Sequence, residues 1–330
     1  MTHNSTTTKA TTRRAPAALL AVAFLFIINA MAQSNAPATN NIHRDTTTLL
    51  FTGDILLDRG VRTVIGHQGA DALFLPRTDS LLRSCNHVVG NLECPATKIK
   101  QPVFKHFIFR AEPEWLPTLR DHGFTHLNLA NNHSIDQGRK GLADTKANIE
   151  KAGMTAIGAG ATMDEASQPV LIDSLPRHIW MIASNQLQFE NFPTLPHTTS
   201  VSQEPIDSIT ARILSLRHRD PQCIIIVSLH WGWEHTMKPL PQQIMQAHKL
   251  INAGADALIC HHTHTLQTHE TYRGKTIYYS IGNFIFDQTK PINTKALAVR
   301  LTVTKDSLTT ENIPIQIINC KPHWLTQKER

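Results

Sequence analysis

Apolar positions along this chain fall into two rhythms. Runs of strand length recur at TTLLFTGD (47–54), NHVVGNLE (86–93), FTHLNLANNH (124–133), CIIIVSLHWG (223–232) and ADALICHHTH (255–264), and each gives way to polar residues at its carboxyl end. Between such runs lie stretches with helical spacing. Residues 138–152 read as a helix that stops at Gly153, a residue free to take the left-handed conformation past a helix end. Residues 241–253 begin at Pro241, suited to a first turn, place Ile244, Ala247 and Ile251 on one face, and stop at Gly254. Each helix feeds another β-type run, MTAIGAG (154–160) after the first and ADALIC (255–260) after the second. Alternation of this kind predicts an α/β domain.

The amino-terminal stretch belongs to a different pattern. Lys9, Arg13 and Arg14 precede the apolar run AALLAVAFLFIINAMA, which ends at Ala30-Met31-Ala32 before Gln33. A basic segment, a short apolar core and an A-x-A end predict a secretory signal over 1–32 and export to the periplasm or the exterior. The alternative is an amino-terminal membrane anchor. Residues 33–46 read as a polar linker, 47–320 as the folded domain and 321–330 as a tail, with 191–205 (NFPTLPHTTSVSQEP) the longest expected loop.

Removing the leader changes the charge argument. Its three basic residues and no acid lower the formal charge from +6 to +3, and the remaining Lys and Arg are scattered. A nucleic-acid partner needs clustered positive charge, so none is expected. The five cysteines, Cys85, Cys94, Cys223, Cys260 and Cys320, contain no C-x-x-C and are too irregular for a disulfide framework. Cys85 and Cys94 are the nearest pair in sequence, whereas Cys223 and Cys260, beside or within apolar runs, are expected as buried free thiols.

The candidate chemistry sits at the ends of the five strand-like runs. They deliver Asp54, then Asn91 and Glu93, then Asn131, Asn132 and His133, then His230, and finally His261, His262 and His264. Open α/β sheets bind ligands at the carboxyl ends of their strands, so strands sharing a sheet and a direction would bring these side chains to one edge. Imidazole, carboxylate and amide oxygen form the ligand set of divalent zinc, manganese or iron. One or two such ions could activate a water, with His133 as proton donor to a leaving group. Each piece has a plainer reading: Gly-Asp as a turn, Asn-Asn-His as a helix cap, and His230 as a histidine packed among aromatics. Three imidazoles at one strand end have little structural use.

These residues also carry a resemblance. FTGDILLDRG (51–60), GNLECP (90–95), the segment 105–144, GAG (158–160), SLHWGWE (228–234) and the segment 253–288 together resemble the CapA family of poly-γ-glutamate capsule synthesis proteins. The resemblance implies a metallophosphatase-like, four-layer α/β/β/α sandwich. It implies that Asp54, Glu93, Asn132, His230, His262 and His264 line a site for one or two divalent ions (Mn, Zn or Fe), with His133 in the place of the general acid. Arg59, Lys105, Arg110 and Asn283 would bind substrate, with Asp287 at the rim, since an Arg fork holds carboxylate or phosphate. The implied activity is a metal-dependent hydrolase or transferase acting on an anionic polymer or phosphoester. The alternative is a non-catalytic accessory protein working with membrane components of capsule assembly or export. The sequence departs from metallophosphoesterases at Leu56, where they carry His, and at Glu93, where an Asp is usual. It departs from the CapA pattern at Cys260, Thr263 and His235.

Overall fold

The computed structural model describes residues 44–326 and 329; the leader and most of the polar linker lie outside the described residues. Sixteen strands are present among the described residues: β1 (Thr46–Ile55), β2 (His87–Leu92), β3 (His126–Asn128), β4 (Thr155–Ile157), β5 (Ala159–Gly160), β6 (Val170–Asp173), β7 (Ile179–Asn185), β8 (Ser200–Val201), β9 (Ile224–His230), β10 (Ala257–Ile259), β11 (His269–Tyr272), β12 (Lys275–Tyr278), β13 (Asn283–Ile285), β14 (Lys295–Thr304), β15 (Leu308–Ile318) and β16 (Lys321–Trp324). The first sheet runs β16-β15-β14-β1-β2-β3-β4, with β13 also paired to β1. The second runs β11-β12-β10-β9-β7-β6. In the first, β1 to β4 are parallel; in the second, β7, β9, β10 and β12 are parallel.

Strict alternation along the second sheet separates two cores. Ile224 and Ile226 of β9, Ile179 and Met181 of β7, and Ala257 and Ile259 of β10 join residues of the first sheet in one buried cluster. Their neighbours Ile225, Val227 and Leu258 point the other way and pack under helices Ile206–Arg219 and Pro241–Ala253. A strand covered on both faces has no solvent side, which is why CIIIV is continuously apolar. Helices Arg59–Gln68, Pro76–Arg83, Leu116–Asp121 and Gly138–Lys151 contribute Val61, Leu81, Leu119 and Leu142 to the first cluster. The expected four-layer α/β/β/α sandwich is the observed architecture.

Both expected helices form, at Gly138–Lys151 and Pro241–Ala253, with Gly153 and Gly254 past their ends at φ 81° and 115°. Three details differ from expectation. The motif-bearing strands do not share one sheet: β1, β2 and β3 belong to the first, β9 and β10 to the second. The expected loop 191–205 contains β8, which pairs with β5. The expected tail starts with β16, because Pro322 and Trp324 lie opposite Ile317 and Ile315 and extend the apolar edge of β15. All five cysteines are free, with Cys94, Cys223 and Cys260 fully buried. The Cys94 thiol accepts from the Leu57 backbone N–H at 3.4 Å instead of meeting Cys85.

Candidate metal centre

The site is assembled where the carboxyl ends of the two sheets meet. Asp54 is the penultimate residue of β1, and the glycine before it has a steric cause. A Cβ on Gly53 would stand 2.1 Å from the carbonyl oxygen of Gly282, so only glycine lets β1 lie against the turn into β13. That contact is closed by Asp54 N–H donating to Gly282 O at 3.0 Å. Glu93 is fixed just past β2, its N–H donating to Ile55 O at 2.9 Å. From the second sheet come His230, ending β9, and His261, His262 and His264, following β10. His262 and His264 take positive φ values of 98° and 55°, a conformation that costs a non-glycine residue about 1–3 kcal/mol. The chain after β10 thus turns back sharply and presents several imidazoles to one pocket.

Within that pocket the ligand atoms form two triads, Glu93–His230–His262 and Asp54–Glu93–His264, each with its atoms within 4.8 Å of one another. Glu93 belongs to both. Asn132 joins the first, its Oδ1 lying 2.8 Å from His230 Nε2, and His262 Nδ1 lies 3.2 Å from the same nitrogen. All six residues expected as ligands therefore converge. His261 is an addition: its Nδ1 lies 3.2 Å from Asp54 Oδ1. Its place beside His262 was visible in the sequence, but not that it would face the carboxylate.

The donor set fits a cation. Asp54 Oδ2 and both carboxylate oxygens of Glu93 are buried without a hydrogen-bond partner, an arrangement that is costly for a carboxylate unless positive charge lies beside it. Burial and the charge of Asp54 push Glu93 well above the usual carboxylate range. Burial pushes Asp54 the same way, but its contacts with His261 and His264 prevail and hold it well below that range. Burial lowers His230 strongly and His262 to about 3, so both imidazoles are neutral and have lone pairs to offer. For His264, burial is outweighed by Glu93 and Asp54, which raise it to about 9. The pocket thus draws positive charge onto itself.

A layer of amides holds this cluster. Asn91 Nδ2 donates to Asp54 Oδ1 at 2.8 Å, and Asn131 Nδ2 donates to Asn91 Oδ1 at 3.2 Å. Asn131 Oδ1 accepts from the backbone N–H groups of His133 and Ser134 at 3.1 and 2.9 Å, so it caps the turn and leaves Asn132 to face His230. His133 sits at the edge of the cluster, its Nδ1 2.8 Å from Asp136 Oδ2. Asp136 also accepts from Phe109 N–H and Lys105 Nζ, both at 2.8 Å. Burial lowers the His133 pKa against the pull of Asp136. Asp136 was not among the residues expected from the sequence, although its spacing three residues after His133 in N-H-S-I-D is a signal for it.

With this geometry in view, residues 48–288 match the bacterial capsule synthesis protein PGA_cap family. The chain belongs to the PGA_cap family. It is 31% identical over 260 residues to the PGA biosynthesis protein CapA of Bacillus subtilis (strain 168), covering 78% of this chain and 67% of that protein. It is 32% identical over 262 residues to the capsule biosynthesis protein CapA of Bacillus anthracis, covering 74% and 62%. A probable polyglutamine synthesis accessory protein of Mycobacterium tuberculosis (strain ATCC 25618 / H37Rv) is 27% identical over 294 residues, covering 74% and 75%. The chain therefore spans about two thirds of the length of the two Bacillus relatives.

In this PGA_cap chain the residues expected to bind substrate have mixed fates. Arg59, at φ 50°, stands at the rim, paired with Asp287 and stacked within 5.1 Å of Phe109 and 5.5 Å of Phe286. Lys105 is buried instead of facing solvent: its Nζ donates to Asn132 O at 3.0 Å and binds Asp136, so it positions the Asn132–His133 turn. Arg110 is diverted altogether. Its guanidinium is occupied by Thr97 O at 2.8 Å and Glu112 at 2.6 Å, in an ion network with Arg62 and Lys98. Asn283 is fully buried, and its Oδ1 lies 3.0 Å from His264 Nδ1. It orients a candidate ligand in the manner of outer groups around metal sites. Leu56 is wholly buried in the main core and offers nothing to the Asp54 triad.

Proposed function

We propose that this chain is a cell-envelope, metal-dependent hydrolase or transferase that acts on an anionic polymer or phosphoester in capsular polyglutamate synthesis. The observation that carries the reading is Glu93, common to both triads and buried with both oxygens unpartnered. Asp54, Glu93 and His264 would hold one divalent ion, and Glu93, Asn132, His230 and His262 the other. Such an ion supplies electrophilic polarisation of a substrate oxygen. The protein's own part is to place proton traffic and charge around it. Asp136, already accepting from Phe109 and Lys105, would accept a hydrogen bond from His133 Nδ1–H and hold the proton there, which leaves Nε2 as the nitrogen free to exchange a proton. Being neutral, His133 would accept a proton at Nε2 before it donates one to a leaving group. Arg59 at the rim supplies positive charge for an anionic substrate.

The test is metal analysis of the purified protein together with assays on phosphodiesters and polyglutamate. Metal-stimulated turnover is expected, with His133→Ala lowering kcat by about 10²- to 10⁴-fold while bound metal is unchanged. A second reading, a binding protein without turnover, is favoured by Leu56, which leaves the Asp54 triad one ligand short of the metallophosphoesterase pattern. Retained polyglutamate binding in His133→Ala, with no bound metal and no turnover in the parent, would establish that reading and remove the first.

A further inference from the structure

Three histidines at the metal centre hold positive φ: the candidate ligands His262 and His264, at 98° and 55°, and His235, at 60°. The third is not a candidate ligand, and it is one of the positions where the chain departs from the CapA pattern. The turn that carries it is strapped to the ligand-bearing loop after β10. His235 N–H donates to Thr263 O at 2.8 Å, and Thr265 Oγ1 to Thr236 O at 2.6 Å. Gln267 Nε2 donates to the carbonyl oxygens of Thr236 and Lys238 at 3.0 and 3.1 Å. A left-handed histidine is strained, so these bonds hold the turn where local preference would not. The imidazole ends beside the ligands, its ring centroid 6.3 Å from that of His264. Arg59 reaches the same histidine through Phe286, whose ring lies 4.7 Å from that of His264.

Asn293 settles which nitrogen of His235 carries the hydrogen. It is 1% exposed, and its Nδ2 donates to His264 O at 2.8 Å while lying 3.0 Å from His235 Nδ1. The reversed amide would set two oxygens 2.8 Å apart, so the orientation is fixed even though Asn293 Oδ1 is left buried without a donor. The second hydrogen of Nδ2 therefore meets a lone pair on His235 Nδ1, and the ring carries its proton on Nε2. That N–H has no acceptor among the described residues, since Glu234 Oε2 is 3.7 Å away, beyond hydrogen-bond reach. The side chain is 36% exposed, so a ligand can reach the ring. Arg59, following β1, and His235, following β9, thus bring a cation and a donor from the two sheets to the His264 side of the centre.

We propose that His235 is a binding residue of this site, its Nε2–H donating to an oxygen of an oxyanion held at the metal centre and complementing the charge of Arg59. The inference rests on the metal-centre reading, but it is read by binding and by ring tautomer, not by turnover. The probes are inorganic phosphate and acetate, titrated calorimetrically into Zn²⁺-loaded protein freed of excess metal. His235→Phe keeps a ring beside His264 and removes the donor; it should retain the metal and weaken whichever anion binds by about tenfold. His235→Gln restores an N–H at similar reach and should bind within about threefold of the parent. Nitrogen-15 spectra of the parent's imidazoles, with His235 assigned by its absence from His235→Gln, should show the Nε2–H tautomer and a shift of that proton when the anion is added. An Nδ1–H tautomer, unchanged affinity in His235→Phe, equal losses in the two variants, loss of metal from His235→Phe, or a metal-loaded parent that binds neither anion overturns the proposal and leaves the metal centre standing. A parent that retains no metal removes the metal-centre reading and this inference with it.

Discussion

His126 shows how one buried side chain can set a pH dependence for the protein. It is 6% exposed at the start of β3, with Thr125 Oγ1 2.8 Å from its Nδ1 and the His87 ring 5.6 Å away. Burial first, and His87 second, lower it to about 4 from an ordinary value of 6.5. Between those two values the unfolded chain binds a proton that the folded chain refuses, so stability falls as pH drops from 6.5 towards 4 and levels off below. The shift corresponds to a loss on the order of 3 kcal/mol across that window. Urea midpoints measured from pH 4.5 to 7 should show this slope in the parent and a shallower one in His126→Leu. The same scale separates Lys105 from Arg110. Both are basic residues in one matched segment, yet Lys105 ends buried against Asp136, 31 residues on, whereas Arg110 is captured by Glu112 two residues away in an ion network.

At the scale of the element, β1 is the part on which the site depends most. It pairs with β2, β14 and β13, and the register shift at Asp54 coincides with its closest approach to the turn before β13. Gly53→Ala would press a methyl group into the Gly282 carbonyl, and backbone does not yield as a flexible side chain does. A loss of about 3 kcal/mol or more is expected, with weaker metal binding, because Asp54 moves with the strand. Gly66 is the control. It lies inside helix Arg59–Gln68, and a Cβ there would meet nothing within 4 Å, so Gly66→Ala should stabilise by about 0.5–1 kcal/mol. Thermal unfolding of the two variants, followed beside the parent, checks both signs. The helices were legible from the sequence because their periodicity and terminal glycines are local; β16 was not, because only pairing with β15 defines it.

In the described domain the two large sheets meet at one end in a charged pocket, and this couples its stability to its ligand. Asp54 and Glu93 come from one sheet, and His230, His262 and His264 from the other, so an ion held by both triads would tie the layers together. A metal at a hundred times its Kd should add about 2.7 kcal/mol. Glu93→Gln should behave in the opposite way. With EDTA at pH 8 it should melt above the parent, since it removes an unpartnered buried carboxylate, and it should gain little from added metal. Scanning fluorimetry of both proteins with and without Mn²⁺ or Zn²⁺ gives the comparison, and equal metal-induced shifts would argue against Glu93 as a shared ligand.

The sequence by itself determined the strand and helix rhythm, the family, and the set of residues that meet in the site, because apolar periodicity and strand-end polar motifs are properties of short stretches of chain. It carried the discrepancy at Leu56 as well. Tertiary structure alone decided that the five motif strands divide between two sheets, since register and layer are set by contacts between distant segments. It also decided which neighbours of the motifs serve the cluster: His261 and Asp136 turn toward it, Asn131 and Asn283 brace it, and Arg110 leaves it. Those outcomes depend on where each side chain finds a partner for its charge or hydrogen bonds. Some of these partners are close in sequence, as with His133 and Asp136 or Arg110 and Glu112, but others are distant: Lys105 and Asp136 are 31 apart, and the separation of Asp54 and His264 spans most of the domain.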